Sequence, residues 1–154
     1  MIHIHAAPLV HLEPAVLYQI LRLRTDVFVV EQACAYPELD GRDLEPTAVQ
    51  LWAQDGGDVV ATLRILSEDH GLRIGRVAVA RDHRGTKLGS MLMGEALEQV
   101  GPRSCVLDAQ AHLEHWYRRF GFEVCGPAFV EDGIPHVPMR RASGGHGAVP
   151  AQGC

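Results

Sequence analysis

At 154 residues, 47% of them hydrophobic, the chain reads as one domain with enough apolar material to bury a core. Its formal net charge of −5 argues against a nucleic-acid partner and suits a small-molecule or cationic one. No apolar run approaches the roughly 18 residues of a bilayer span. The opening MIHIHAAPLVHLEP has neither the basic start nor the unbroken apolar core of a secretory signal, so a cytoplasmic location without membrane attachment is expected.

In chain order, MIHIHA alternates and predicts an edge strand. Leu17, Ile20, Leu21 and Phe28 recur at helical spacing behind Pro14, which predicts a helix over about 14–29. Arg24 falls on the apolar stripe of that helix. A cation there needs a carboxylate partner or an opening to solvent. CAYPELDGRDLEP, rich in Pro, Gly and Asp, predicts a loop, and it holds Glu38, Asp40, Asp43 and Glu45 within eight positions. AVQLWAQ and DVVATLRIL predict two strands joined at Gly56-Gly57. LRIGRVAVA predicts a further strand.

RDHRGTKLGS comes next, leading into a helix whose apolar face carries Leu88, Met91, Leu92 and Ala96. SCVLDAQ predicts a short buried strand. AHLEHWYRRF predicts a helix ended by Gly121 as a left-handed cap. FEVCG and HVPMRR predict two last strands. The domain is placed at residues 1–141. From Ala142 onward, ASGGHGAVPAQGC offers almost nothing bulky to bury and predicts a disordered tail over 142–154. Strand, glycine turn, helix and strand over about 72–109 form a βαβ unit, with a right-handed crossover and a parallel pair as its default. Hairpins flank it, so the fold class is mixed α/β.

The glycine turn admits two readings, an ordinary strand-to-helix connection or an anion cradle. A helix start leaves several N–H groups without partners, and the helix dipole reinforces their pull on anions. Gly85 lacks a Cβ, so a ligand can approach its backbone, and Arg84 and Lys87 add charge at the mouth. GxxxxGK[ST] and GxGxxG are both absent, so the turn is neither a Walker A loop nor a dinucleotide fingerprint. The cysteines, Cys34, Cys105, Cys125 and Cys154, show no CxxC pair and no zinc spacing. Cys105 reads as a buried, inert thiol. His3 with His5, and His112 with His115, share faces but have no third ligand nearby, and no metal site is expected.

The turn resembles motif A of the GNAT acetyltransferases, in which Arg or Gln, two residues, Gly, one residue, then Gly or Ala follow in order. Arg84 and Gly89 match its ends, and Lys87 stands where the middle glycine is usual. AQAHLEHWYRRFGF resembles motif B through Tyr117, Gly121 and Phe122, with Gln110 where many relatives have asparagine. LRLRTDVFVVEQACAYPELDGRD and EDGIPHVPM resemble the ElaA-like subgroup, which also tends to carry lysine in place of the middle glycine. The resemblance spans about residues 16–140.

It implies a mostly antiparallel sheet with a central splayed parallel pair and helices on both faces. It also implies acetyl-CoA as donor and a primary amine, on a small molecule or a peptide, as acceptor. The diphosphate would lie on Arg84, Gly85, Thr86, Lys87, Leu88, Gly89 and Ser90. The pantetheine arm would lie along Val77, Ala78 and Val79, with Tyr117 at the thiol as general acid. An amine attacks only when neutral, and a lysine-like ammonium is neutral in roughly one part in a few thousand at pH 7, so a base is needed. RIGRVAVA holds no carboxylate. The candidate bases are Glu31, His136, Glu38, Asp40 and Asp43, or a water chain from any of them. The acidic loop reads either as a solvated turn or as a cation-attracting lip formed by Glu38, Asp40 and Asp43. His136 reads either as a base or as a structural histidine bonded to backbone. Arg24 either braces a carboxylate of the acceptor pocket, Glu31 or one from the loop, or forms an ordinary buried salt bridge. Direct transfer in a ternary complex is expected of a monomer or homodimer. The rival reading is a lapsed enzyme that senses acyl-CoA or docks a partner.

Overall fold

The computed structural model of the chain describes residues 1–144. Eight strands and three α-helices alternate along it: β1 Ile2–Ala7, α1 Pro14–Thr25, β2 Val49–Asp55, β3 Asp58–Glu68, β4 Gly71–Val79, α2 Leu88–Val100, β5 Cys105–Gln110, α3 Glu114–Arg118, β6 Glu123–Val124, β7 Phe129–Glu131 and β8 Ile134–Arg141. The sheet order is β1-β2-β3-β4-β5-β8-β6, with β7 also on β8. β1 is therefore an edge strand, as its alternation predicts. Every pairing is antiparallel except β4 with β5. The mixed α/β fold and the β4-α2-β5 crossover stand as expected. No helix among the described residues is long and apolar enough to cross a membrane.

β3 is buried along nearly its whole length because helices cover both faces of the sheet there. On one face α2 places Leu88, Leu92, Met93, Ala96 and Val100 against Leu63, Ile65, Ile74, Cys105 and Leu107, the main apolar core. Cys105 is fully buried, and that burial pushes its thiol up to about 11. On the other face α1 brings Ile20 and Leu23, and the turn after it Val27, onto Trp52, Val59 and Ala78.

Three local differences from the sequence reading position the site. The first helix is α-helical only to Thr25. Asp26–Glu31 continues it as a turn of π-helix, which rotates Glu31 off the straight continuation of the α1 face. β7 is a strand the sequence did not reveal, since its three residues pair only with β8. β4 carries a bulge. Its register with β3 shifts between Thr62 and Arg64, and Arg76 there adopts φ +53°, a conformation rare outside glycine.

The parallel pair is short. β4 meets β5 only at Leu72↔Cys105 and Arg73↔Val106, and beyond Arg73 the strands part. Gly71 sets the closed end. At φ +144° it lies so near Ser104 that a Cβ would overlap the Ser104 carbonyl. Within the predicted tail over 142–154, Gly144 donates its N–H to the Pro102 carbonyl at 2.7 Å, and residues 145–154 lie outside the described residues.

Candidate active site

The parting of β4 from β5 opens a cleft of about 910 Å³. Its rims are the turn between β4 and α2, the loop after the π turn and the β7–β8 turn, the last two joined where Cys34 Sγ donates to the Asp132 carbonyl at 3.3 Å. Glu31, Asp40, Val77, Ala78, Val79, Arg84, Gly85, Thr86, Gly89, Ser90, Tyr117 and His136 all line it. Sequence reasoning thus collects on one cleft residues from six separate stretches. Lys87 is exposed at the head of α2, and Leu88 is buried in the core, so only their backbone faces the turn.

The turn has the chemistry of an anion cradle. The backbone N–H groups of Gly85, Thr86, Lys87, Gly89 and Ser90 donate to no protein acceptor among the described residues. The Leu88 N–H is taken by Thr86 Oγ1 at 3.3 Å, while that hydroxyl donates to the His83 carbonyl at 2.7 Å. Thr86 therefore braces the loop. Gly85 sits at φ +74° with open space where a Cβ would project. Lys87 sits at φ −81°, ψ 6°. A lysine adopts that conformation freely, so its departure from the family's middle glycine strains nothing. Five amide donors at the head of α2 fit a diphosphate, with α2's dipole adding to their pull.

Along the cleft floor, the β5-facing edge of β4 has no strand partner from Ile74 to Val79. Val79 and Ala78 pair instead with Ala61 and Thr62 of β3. An extended arm can lie against that open edge. Tyr117 closes the floor. Its ring packs edge-on to Trp116 at 4.9 Å and to Phe122 at 6.2 Å. Its hydroxyl has no hydrogen-bond partner among the described residues. Burial alone pushes the phenol up to about 12, which keeps it protonated as a donor at neutral pH.

Several carboxylates are already engaged. Arg24, 1% exposed, donates from Nε to Glu38 Oε1 at 2.6 Å and from Nη1 to Asp43 Oδ1 at 2.8 Å. Its partners come from the loop and not from Glu31. Arg64 grips Asp40 with two bonds of 2.8 and 2.7 Å and also reaches Asp43 at 3.3 Å. Arg76 lies 2.9 Å from Glu38 and 5.3 Å above the Tyr36 ring, and the Tyr36 hydroxyl donates to Glu38 at 2.6 Å. Three arginines thus match Glu38, Asp40 and Asp43. The Arg64 bonds hold Asp40 well below the usual carboxylate range. Of this group Asp40, Arg64, Arg76 and Tyr36 reach the cleft wall.

Glu31 and Arg84, predicted for different tasks, are each other's partners. Arg84 donates from Nη1 and Nη2 to the two Glu31 oxygens at 2.7 and 3.1 Å, and from Nε to the Val79 carbonyl at 3.0 Å. The bond from Arg84 lowers the Glu31 pKa. His136 faces the cleft with Nδ1 2.7 Å from the Ile134 carbonyl and its ring stacked on Phe129. A carbonyl only accepts, so Nδ1 carries the proton, and a neutral ring presents its lone pair at Nε2.

The sequence reading missed Cys34, Arg76, Glu131 and Asp132, which also line the cleft. Arg76 had a signal, a charge inside an apolar strand. Glu131 and Asp132 depend on the hidden β7 and gave none. His5 stacks on Trp52 at 5.3 Å, and no group of three or more metal-ligating side chains stands together among the described residues.

Comparison with known proteins agrees with this geometry. A family model described as "Acetyltransferase (GNAT) domain" matches residues 25–143. A UPF0039 protein of Mycobacterium tuberculosis is 47% identical over 139 residues, 87% of this chain and 89% of that protein. The crystal structure of an acyl-CoA N-acyltransferase from Pseudomonas aeruginosa superposes with a TM-score of 0.88 at 39% identity, over 92% of this chain and all of that one. The crystal structure of Escherichia coli ElaA gives a TM-score of 0.87 at 38% identity, over 92% of this chain and 99% of that one. With its splayed β4–β5 pair, open amide cradle and these likenesses, the chain belongs to the GNAT family of acyl-group transferases, in its ElaA-like subgroup.

Proposed function

We propose that the protein is an acetyl-CoA-dependent N-acetyltransferase that moves an acetyl group directly to a primary amine in a ternary complex. One observation supports this above the others: unpartnered amides at the head of α2 stand beside an unpaired β4 edge that leads toward a protonated Tyr117. Bound there, acetyl-CoA would supply an activated thioester. Gly85, Thr86, Lys87, Gly89 and Ser90 hold its diphosphate through their N–H groups. Leu88 anchors the helix head in the core, and Val77, Ala78 and Val79 carry the arm. Tyr117 donates its proton to the departing sulfur. His136 accepts the proton of the incoming ammonium at Nε2, the one candidate base in the cleft not already held by an arginine.

Glu131 and Asp132 lie exposed on the acceptor rim without an ion pair among the described residues, which favours a cationic acceptor. Arg24, Glu38, Asp40 and Asp43 shape the acceptor wall as one neutralised network. No cysteine or serine in the cleft pairs with a base, which favours direct transfer over an acyl-enzyme. The test is free-thiol release from acetyl-CoA with a panel of small amines and lysine peptides. Release that depends on the amine is expected. A rise in melting temperature with CoA but no release with any amine would instead make the chain an acyl-CoA sensor.

A further inference from the structure

The Glu31–Arg84 pair joins two parts of the molecule that the reaction needs in sequence. Arg84 opens the amide cradle. Glu31 ends the π turn, 53 residues earlier, and the segment after it, through Cys34, Tyr36 and Asp40, walls the acceptor half of the cleft. Each of the three guanidinium nitrogens of Arg84 donates one bond, Nε to Val79 and both terminal nitrogens to Glu31. Arg81 reaches the same carboxylate at 3.4 Å. Two cations therefore converge on one carboxylate at the mouth where five amides wait for an anion. A carboxylate and a phosphate present the same pair of acceptor oxygens to a guanidinium fork.

Resting on the acetyl-CoA reading above, we infer that Glu31 is a built-in stand-in for the cofactor's diphosphate: it occupies Arg84 in the free protein and surrenders it when the cofactor binds. The exchange has two consequences. Glu31 competes with CoA, so it weakens cofactor binding. Its release also frees the end of the Asp26–Glu31 turn, so the wall of the acceptor pocket takes its working position only once the cradle is filled. Glu31 is thus a positioning residue that acts through Arg84, and it does not serve as the base.

The experiment is titration of wild-type, Glu31→Gln and Glu31→Ala proteins with CoA and with pantetheine, which lacks the diphosphate, followed by the fluorescence of Trp116 at the cleft. Loss of one exposed competing ion pair should tighten CoA about two- to five-fold, an advantage that shrinks in high salt. Pantetheine affinity should not change. In an Arg84→Gln background the same Glu31 substitutions should give no gain. Amide exchange over residues 26–36 should rise in wild type on CoA binding, and should already be raised in Glu31→Gln without CoA. CoA affinity that is unchanged or weaker in both Glu31 variants overturns the inference, as does exchange over 26–36 that is indifferent to CoA. Failure of the wild type to bind CoA at all overturns the cofactor reading, and this inference with it.

Discussion

Tyr117 shows how burial sets up chemistry at one residue. Its phenol is pushed up to about 12 because the folded protein desolvates it. It therefore keeps its proton throughout the range in which an amine becomes neutral. Tyr117→Phe keeps the ring contacts with Trp116 and Phe122 and removes only the donor. We expect kcat to fall about 10²-fold or more, with CoA affinity within about two-fold of wild type, measured by stopped assays and titration. An equal rate for the variant would remove Tyr117 from the role of acid. Arg24 makes the opposite case, a buried charge that serves the fold. Its guanidinium is enclosed with Glu38 and Asp43, so Arg24→Ala leaves two buried carboxylates short of a partner. A loss of about 3–5 kcal/mol in urea unfolding is expected. Asp40, Asp43 and Glu31 all have pKa values lowered by arginines. The unfolded chain then binds more protons than the native one between the native and unfolded values. The stability these groups add is present above the unfolded carboxylate range and is lost as pH falls below it. Unfolding free energy should drop on going from pH 6 to pH 3, less steeply in Asp40→Asn.

At the scale of elements, the splay of β4 from β5 creates the site, and it is anchored at its closed end by Gly71. A methyl group there would overlap the Ser104 carbonyl, so Gly71→Ala must push the strands apart where Leu72 N–H meets that carbonyl at 2.9 Å. We expect a loss of about 1–3 kcal/mol, with CoA affinity lowered as well, since the floor of the cleft shifts. Gly85→Ala meets no neighbour and costs only its left-handed backbone, about 1 kcal/mol. Thermal unfolding of the two variants should rank them in that order. The elements that the sequence revealed are those with strong local signals: the Gly56-Gly57 hairpin, the apolar face of α2, and the Gly121 cap at φ +90°. What it concealed depends on distant partners. β7 exists because β8 lies beside it. The π turn bends the first helix where Val27 must pack against Trp52, Val59 and Ala78. The bulge at Arg76 is held by Glu38 and Tyr36, far earlier in the chain, and no local pattern announces it.

Over the whole molecule, the two faces of the sheet divide the work. The α2 face is a continuous apolar core that fixes the cradle. The α1 face carries the arginine–carboxylate network, whose Asp40, Arg64 and Arg76 form part of the cleft wall. Most residues named from sequence gather on one cleft because motif spacing carries the backbone geometry of the βαβ unit, whereas Arg24, Glu38 and Asp43 lie behind its wall. Their pairings were not legible. A row of acids between Glu38 and Glu45 gives no sign that Arg24, Arg64 and Arg76 neutralise three of them, nor does Arg84 disclose that Glu31 holds it. Charge patterns along a chain report composition, whereas compensation is settled in three dimensions. A crystal structure with CoA bound tests the amide cradle and the β4–β5 opening together. The diphosphate oxygens are expected on the amides of Gly85, Thr86, Lys87, Gly89 and Ser90, and the sulfur between β4 and β5 beside the Tyr117 hydroxyl. A diphosphate bound away from those amides, or a sulfur directed out of the β4–β5 opening, would contradict that expectation.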